Sequence, residues 1–131
     1  MLEPELYLPL VTVHVVLFAY WLGGDFGVYV CSRYIARNDL PLADRLRFLD
    51  ALMTIDILPR SAIVLLPVVG LQLAAIRGSV DLEAGALLSA WAGGLAWLAL
   101  VWTIFLQRGR PVADRLVRLD IGLRGVLIVG L

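Results

Sequence analysis

Residues 85–106 read GALLSAWAGGLAWLALVWTIFL and contain no ionisable side chain. A helix of that length spans about 33 Å, close to the roughly 30 Å hydrocarbon layer of a bilayer. A helix that is apolar on every side belongs in a large core or in lipid. A chain of 131 residues has little core to offer, so this stretch predicts a membrane protein. Leu8 to Cys31 is a second candidate span, interrupted only by His14 and Asp25. Ser61 to Ile76 is apolar but short. It reaches spanning length if its helix starts near Leu49 and takes in Asp56, Pro59 and Arg60. Arg115 to Leu131 is a fourth segment that stops early after its last charge, Arg124, so that either the fourth helix is short or the chain has been cut.

The expected fold is therefore all-α, a polytopic membrane protein with four transmembrane helices in one membrane domain, residues 1–131. The helices are expected at approximately 6–35, 42–76, 85–107 and 112–131. Composition agrees: 61% of residues are hydrophobic and the formal net charge is zero, which leaves no field to attract nucleic acid. The single cysteine, Cys31, excludes an internal disulfide and a Cys-rich metal site. The start, Met1 to Glu5, is acidic and lacks the basic region of a signal peptide.

Arginine placement sets the expected orientation, since Lys and Arg accumulate in cytoplasmic loops. The chain has no lysine. The first connection holds Arg33, Arg37, Arg45 and Arg47, and the third holds Arg108, Arg110, Arg115 and Arg118. The second has Arg77 alone, and the N-terminus has none. The basic loops should face the cytoplasm, with both termini outside, in a bacterial inner membrane.

An internal repeat supports the same layout. PLADRLRFLD at Pro41–Asp50 matches PVADRLVRLD at Pro111–Asp120 in seven of ten positions, at an offset of 70. The same offset aligns WLGG, Trp21–Gly24, with WAGG, Trp91–Gly94. This predicts two parallel two-helix repeats, approximately 6–76 and 85–131, around an axis along the membrane normal. In each decamer a proline suits the first helical turn. Leu42, Leu46, Leu49 and Met53 form one stripe, repeated by Val112, Leu116, Leu119 and Leu123. Both segments read as amphipathic entries at the headgroups.

Charges inside the hydrocarbon are costly and turn toward protein or water, usually with a partner. Asp56 and Arg60 are four apart and can pair on one helix, as can Asp120 and Arg124. Pro59 should kink the helix between them. Asp25 and Arg60 should sit at similar depth, which predicts an Asp25–Arg60 contact with Asp56 completing an ionic cluster. That cluster reads as a structural latch, or as a proton path or anion site.

His14, the only histidine, and Asp25 are 11 residues apart and fall within about 20° on a straight helical wheel. Phe18 and Trp21 lie on the same stripe, so the face His14–Phe18–Trp21–Asp25 should look into the bundle. Gly23 and Gly24 would let a helix or a flat cofactor approach the backbone. His14 reads either as a packing histidine bonded to a carbonyl or as an axial haem ligand. A second ligand would be Met53, a symmetry-related His14 or a residue of another subunit, or would be absent. His14, Cys31, Met1 and Met53 are too scattered for a soft-metal cage.

The motif H-x6-W-L-G-G, His14 to Gly24, resembles the first-helix signature of CopD-like membrane proteins, a group that includes copper-resistance D proteins and HemJ-type protoporphyrinogen oxidases. The resemblance implies four-helix units and, as in the HemJ type, haem b bound through this histidine, with Trp21, Gly23 and Gly24 as packing neighbours. It covers the first 25 residues and the remainder only as topology. The chain departs from the HemJ pattern in having no lysine and in carrying Val30 where that family has an arginine, and Ala84 stands where a second-copy histidine would fall.

Three functions follow as expectations. The first is a haem-b-binding subunit serving electron transfer, with His14 axial to the metal and Arg60 or Arg77 on the propionates. The second is a non-catalytic accessory or assembly subunit of a larger membrane complex or homo-oligomer. The third is a copper or ion transport module lined by Asp25, Asp56 and Arg60. The sequence shows no nucleophile–base pair and no phosphate loop.

Overall fold

The computed structural model describes residues 4–130, with side chains at all of these except 4, 113, 114 and 127–130. Five α-helices follow a short 3-10 turn at Pro4–Leu6: α1 Tyr7–Ile35, α2 Leu42–Ile55, α3 Ile57–Ile76, α4 Ala84–Leu106 and α5 Pro111–Gly130. There are no strands among the described residues. The expected second helix, 42–76, is divided at Asp56. Pro59 has no N–H to give the carbonyl of Ile55, so the ladder lapses there. Asp56 keeps helical angles, φ −60° and ψ −19°, and α2 and α3 remain nearly one rod.

Three segments are long and apolar enough to cross a membrane: Tyr7–Ile35, Leu42–Ile76 and Ala84–Leu106. The fourth segment is helical as expected, but α5 is not among these spans. Asp114, Arg115, Arg118, Asp120 and Arg124 break up its apolar run.

α3 is the centre of the molecule. It packs against α1 on one side and α4 on the other, α5 lies against α4, and α2 lies against α1. Ala62, Val64, Val68, Val69 and Gln72 of α3 are all buried, whereas no residue of α1 is. Among helices in lipid, close van der Waals fit replaces the hydrophobic drive, and small residues set how near backbones come. Gly24 of α1 lies against Pro59, where a Cβ would meet Pro59 Cδ at 2.5 Å. Gly94 of α4 lies against Val68, where a Cβ would meet Val68 Cγ2 at 2.7 Å. The second glycine of each W-x-G-G motif is thus a contact point on α3, and the first, Gly23 or Gly93, faces open space.

Each tryptophan of α4 donates its indole N–H to a neighbouring helix. Trp91 bonds Gln72 Oε1 at 2.9 Å, Trp102 bonds Ser61 Oγ at 3.1 Å, and Trp97 bonds Asp120 Oδ1 at 2.7 Å. Asp120 is 3% exposed and also accepts from Arg124 Nε at 3.0 Å. At the arginine-rich end, Tyr34 stacks on Phe48 with centroids 4.7 Å apart. Arg45 Nε donates to the Ile35 carbonyl at 2.7 Å, satisfying an orphan acceptor at the end of α1. Arg45, in the first of the repeated decamers, therefore ties two helices together.

Candidate functional site

His14 sits on the α3-facing seam of α1. Its ring lies against Gly70, where a Cβ would meet His14 Cε1 at 3.3 Å, and its Nδ1 is buried with no hydrogen-bond partner among the described residues. The half-buried positions of α1 include Tyr7, Leu10, His14, Leu17, Trp21, Gly24, Val28, Cys31 and Ile35. They recur at three and four residues, the 3.5-residue repeat of a coiled-coil seam.

That repeat corrects the expected inward stripe. A straight wheel puts Asp25 beneath His14, but a 3.5-residue seam drifts about 20° per heptad against the 3.6-residue helix. By the second half of α1 the seam has moved round to Gly24, Gly27 and Val28. His14 and Trp21 remain on it, while Phe18, Gly23 and Asp25 do not. Phe18 is 49% exposed and meets Trp21 edge to face at 5.9 Å. Asp25 is exposed on the outer face, beside Leu22 and Phe26, and has neither a hydrogen bond nor an ion pair among the described residues. The expected Asp25–Arg60 contact is absent. Arg60 Nε instead bonds Asp56 Oδ2 within its own rod.

Contact pairs give the depth of each group. Gly27 meets Ile55, Gly24 meets Pro59 and Gly70 meets His14, so α1 and α3 are antiparallel in steady register. Ser61–Trp102 and Gln72–Trp91 set the same relation between α3 and α4. His14 therefore lies near the middle of the α4 span. Asp25 lies level with the Ile104 region, about one turn inside the arginine-rich end of α4.

The Asp56–Arg60 pair opens into a cleft of about 360 Å³ between α3 and α4, lined by Met53, Asp56, Ile57, Arg60, Phe105 and Arg108 among others. Arg108 rests over the Phe105 ring, its guanidinium carbon 4.0 Å from the centroid, and donates to the Met53 carbonyl. Sequence reasoning counted Arg108 only as a topology charge; its signal was position, just past the end of an uncharged span. Gly70, opposite His14, had no sequence signal, because only the pairing of α1 with α3 reveals it.

The proposed haem residues are thus divided. His14, Trp21 and Gly24 share the α1–α3 seam, Phe18 and Gly23 face outward, and Arg60 lies in the α3–α4 cleft. No group of three or more His, Cys, Asp or Glu side chains able to hold a metal ion occurs among the described residues. Comparison of the chain with protein-family models, with curated proteins and with solved structures finds no match.

Proposed function

We propose that this chain is a small, non-catalytic membrane subunit that works inside a larger assembly and joins it through the outer face of α1. The supporting observation is Asp25. It stands on an apolar face with Leu22 62% and Phe26 68% exposed, and Gly23 leaves room for another backbone. A carboxylate at the bilayer centre costs about 2.5–3.5 kcal/mol on insertion scales, and less near the interface. Asp56, the acid at a comparable depth of the second span, takes Arg60 of its own rod as a partner. Charge complementarity points to a transmembrane helix from another chain, bringing a cationic side chain to the depth of Asp25. The arginine-rich loops then lie on the cytoplasmic side of a bacterial inner membrane, with the N-terminal end of α1 outside.

The test is the mass of the native particle after mild extraction from its own membrane, with Asp25→Asn alongside. The expected particle contains other chains, and Asp25→Asn releases them without unfolding the subunit. A lone 14.4 kDa chain in both samples overturns the proposal. Particles containing only copies of this chain assign the partner as a second copy.

Haem b binding remains a second reading, favoured by the buried, unpartnered Nδ1 of His14. The described residues do not bring the haem candidates to one place: Gly70 stands against the imidazole, and the cleft that holds Arg60 is not lined by His14. No electron-transfer step is derived from them. An absorption spectrum of the purified assembly decides it, since axial ligation requires a Soret band that His14→Ala removes.

A further inference from the structure

We propose that the α3–α4 cleft binds the phosphate of an anionic phospholipid headgroup. The cleft carries two arginines and one carboxylate. Asp56 neutralises one guanidinium through Arg60 Nε, which leaves Arg60 Nη1 and Nη2 without an acceptor among the described residues. Arg108 commits a single Nη2 donor to Met53, and its remaining donors have no acceptor among the described residues. Among the described residues the mouth therefore holds one uncompensated positive charge and several unspent donors, which match a singly charged phosphodiester. Arginine is suited to this role because its planar fork donates to two phosphate oxygens at once.

The walls favour a lipid over a soluble phosphate. Ile57, Val101 and Ile104 continue the cleft from the charged mouth into the apolar span, where an acyl chain would lie. The depth agrees. Arg108 stands two residues beyond Leu106, the last residue of the uncharged helix, at the level where headgroups begin. Gly109, with φ +79°, turns the chain back at that point and keeps Arg108 beside the cleft. Basic pockets between helices at the headgroup level are general recognition sites for anionic lipids.

The test uses the full chain in phosphatidylcholine nanodiscs, titrated with phosphatidylglycerol, with bound lipid counted by native mass spectrometry. Arg108→Gln is expected to weaken phosphatidylglycerol binding about tenfold, as loss of a charge-assisted phosphate contact does. Arg110→Gln, which removes the same charge from the adjoining loop, should change it by less than about twofold because exposed charges are screened. Ile104→Trp narrows the apolar wall with every charge intact and should also reduce binding. It serves as the second readout should Arg108→Gln lower the melting temperature. An equal loss in the Arg108 and Arg110 variants overturns the proposal, as does undiminished affinity in both cleft variants. Full displacement of the lipid by millimolar inorganic phosphate overturns the lipid assignment and makes this a free-phosphate site.

Discussion

Replacing Gly94 with alanine tests whether the α3–α4 contact holds this molecule together. The added Cβ would stand 2.7 Å from Val68 Cγ2 and 3.7 Å from Val68 Cβ. Ordinary contact begins near 3.4 Å, so one helix must retreat by about 0.7 Å. Val68 cannot swing aside, since a β-branched residue in a helix has one strongly preferred χ1 rotamer. It is also only 8% exposed. The same retreat would stretch Trp91–Gln72 from 2.9 Å and Trp102–Ser61 from 3.1 Å past hydrogen-bonding distance. Overpacking costs about 1–3 kcal/mol. Each interhelical hydrogen bond in a membrane adds about 0.6 kcal/mol. The expected loss is therefore about 2–4 kcal/mol. Gly93→Ala is the matched control, because its Cβ meets nothing within 4 Å and alanine is the better helix former. Thermal unfolding in one mild detergent compares the two. Gly94→Ala should melt lower than the parent and Gly93→Ala no lower. Val68→Ala combined with Gly94→Ala should recover part of the loss, a coupling that distant sites do not show. Equal melting temperatures for the two glycine variants, or no recovery in the double variant, would refute the reasoning.

Further outcomes follow from other contacts. Asp120→Ala strands the indole N–H of Trp97 and the guanidinium of Arg124, and should destabilise by about 3–5 kcal/mol, as broken buried pairs do. Asp120→Asn keeps an acceptor for Trp97 and should cost less; denaturant midpoints separate the two. Arg45→Gln removes a cap from the α1 carboxyl end and should lower stability by about 1 kcal/mol, with faster amide exchange confined to residues 32–36. The hydrogen bond from Arg37 holds the Asp39 carboxyl below its ordinary 3.8. A depressed carboxylate stabilises the fold above its unfolded-state value and loses that contribution as pH falls through the folded-state value. Asp39→Asn should therefore melt slightly below the parent at neutral pH, and the gap should close as the pH drops beneath 3.8.

Much of this architecture was legible in apolar length. Residues 85–106 announce their own helix, and the break at Asp56 follows from Pro59. The pairings Asp56–Arg60 and Asp120–Arg124 also follow from four-residue spacing, since both partners lie on one helix and no knowledge of packing is needed. The site was less legible because it depends on which helix faces which. Asp25 falls under His14 on a straight wheel, and only contact with α3 shows the seam drifting past it to Gly24. Trp97–Asp120 was invisible for the same reason: the residues are 23 apart and meet only because α5 folds back on α4. The charge of α5 was readable, yet counting helices without weighing Asp114, Arg115, Arg118, Asp120 and Arg124 overstated its fitness as a span.

The pattern of pairing then sets Asp25 of α1 apart from Asp56 and Asp120. Asp56 and Asp120 each take an arginine from their own helical rod, so the rod carries its acid in neutralised form before tertiary contacts exist. Packing adds a tryptophan donor to Asp120 and leaves the ion pair in place. Asp25 has no arginine at three or four residues to either side, and His14 has no acidic residue at those spacings. Neither gains a hydrogen bond when α1 docks on α3. Their directions differ: His14 faces inward at mid-span, and Asp25 faces outward near the arginine-rich end. One surface of α1 is therefore committed to α3, and the other holds an acid with no partner among the described residues. Asp25→Leu separates the two surfaces. In the isolated chain it should raise stability in lipid, because it removes a transfer cost, while in the native assembly it should weaken association. An improvement in both settings would mean that the outer face of α1 meets only lipid.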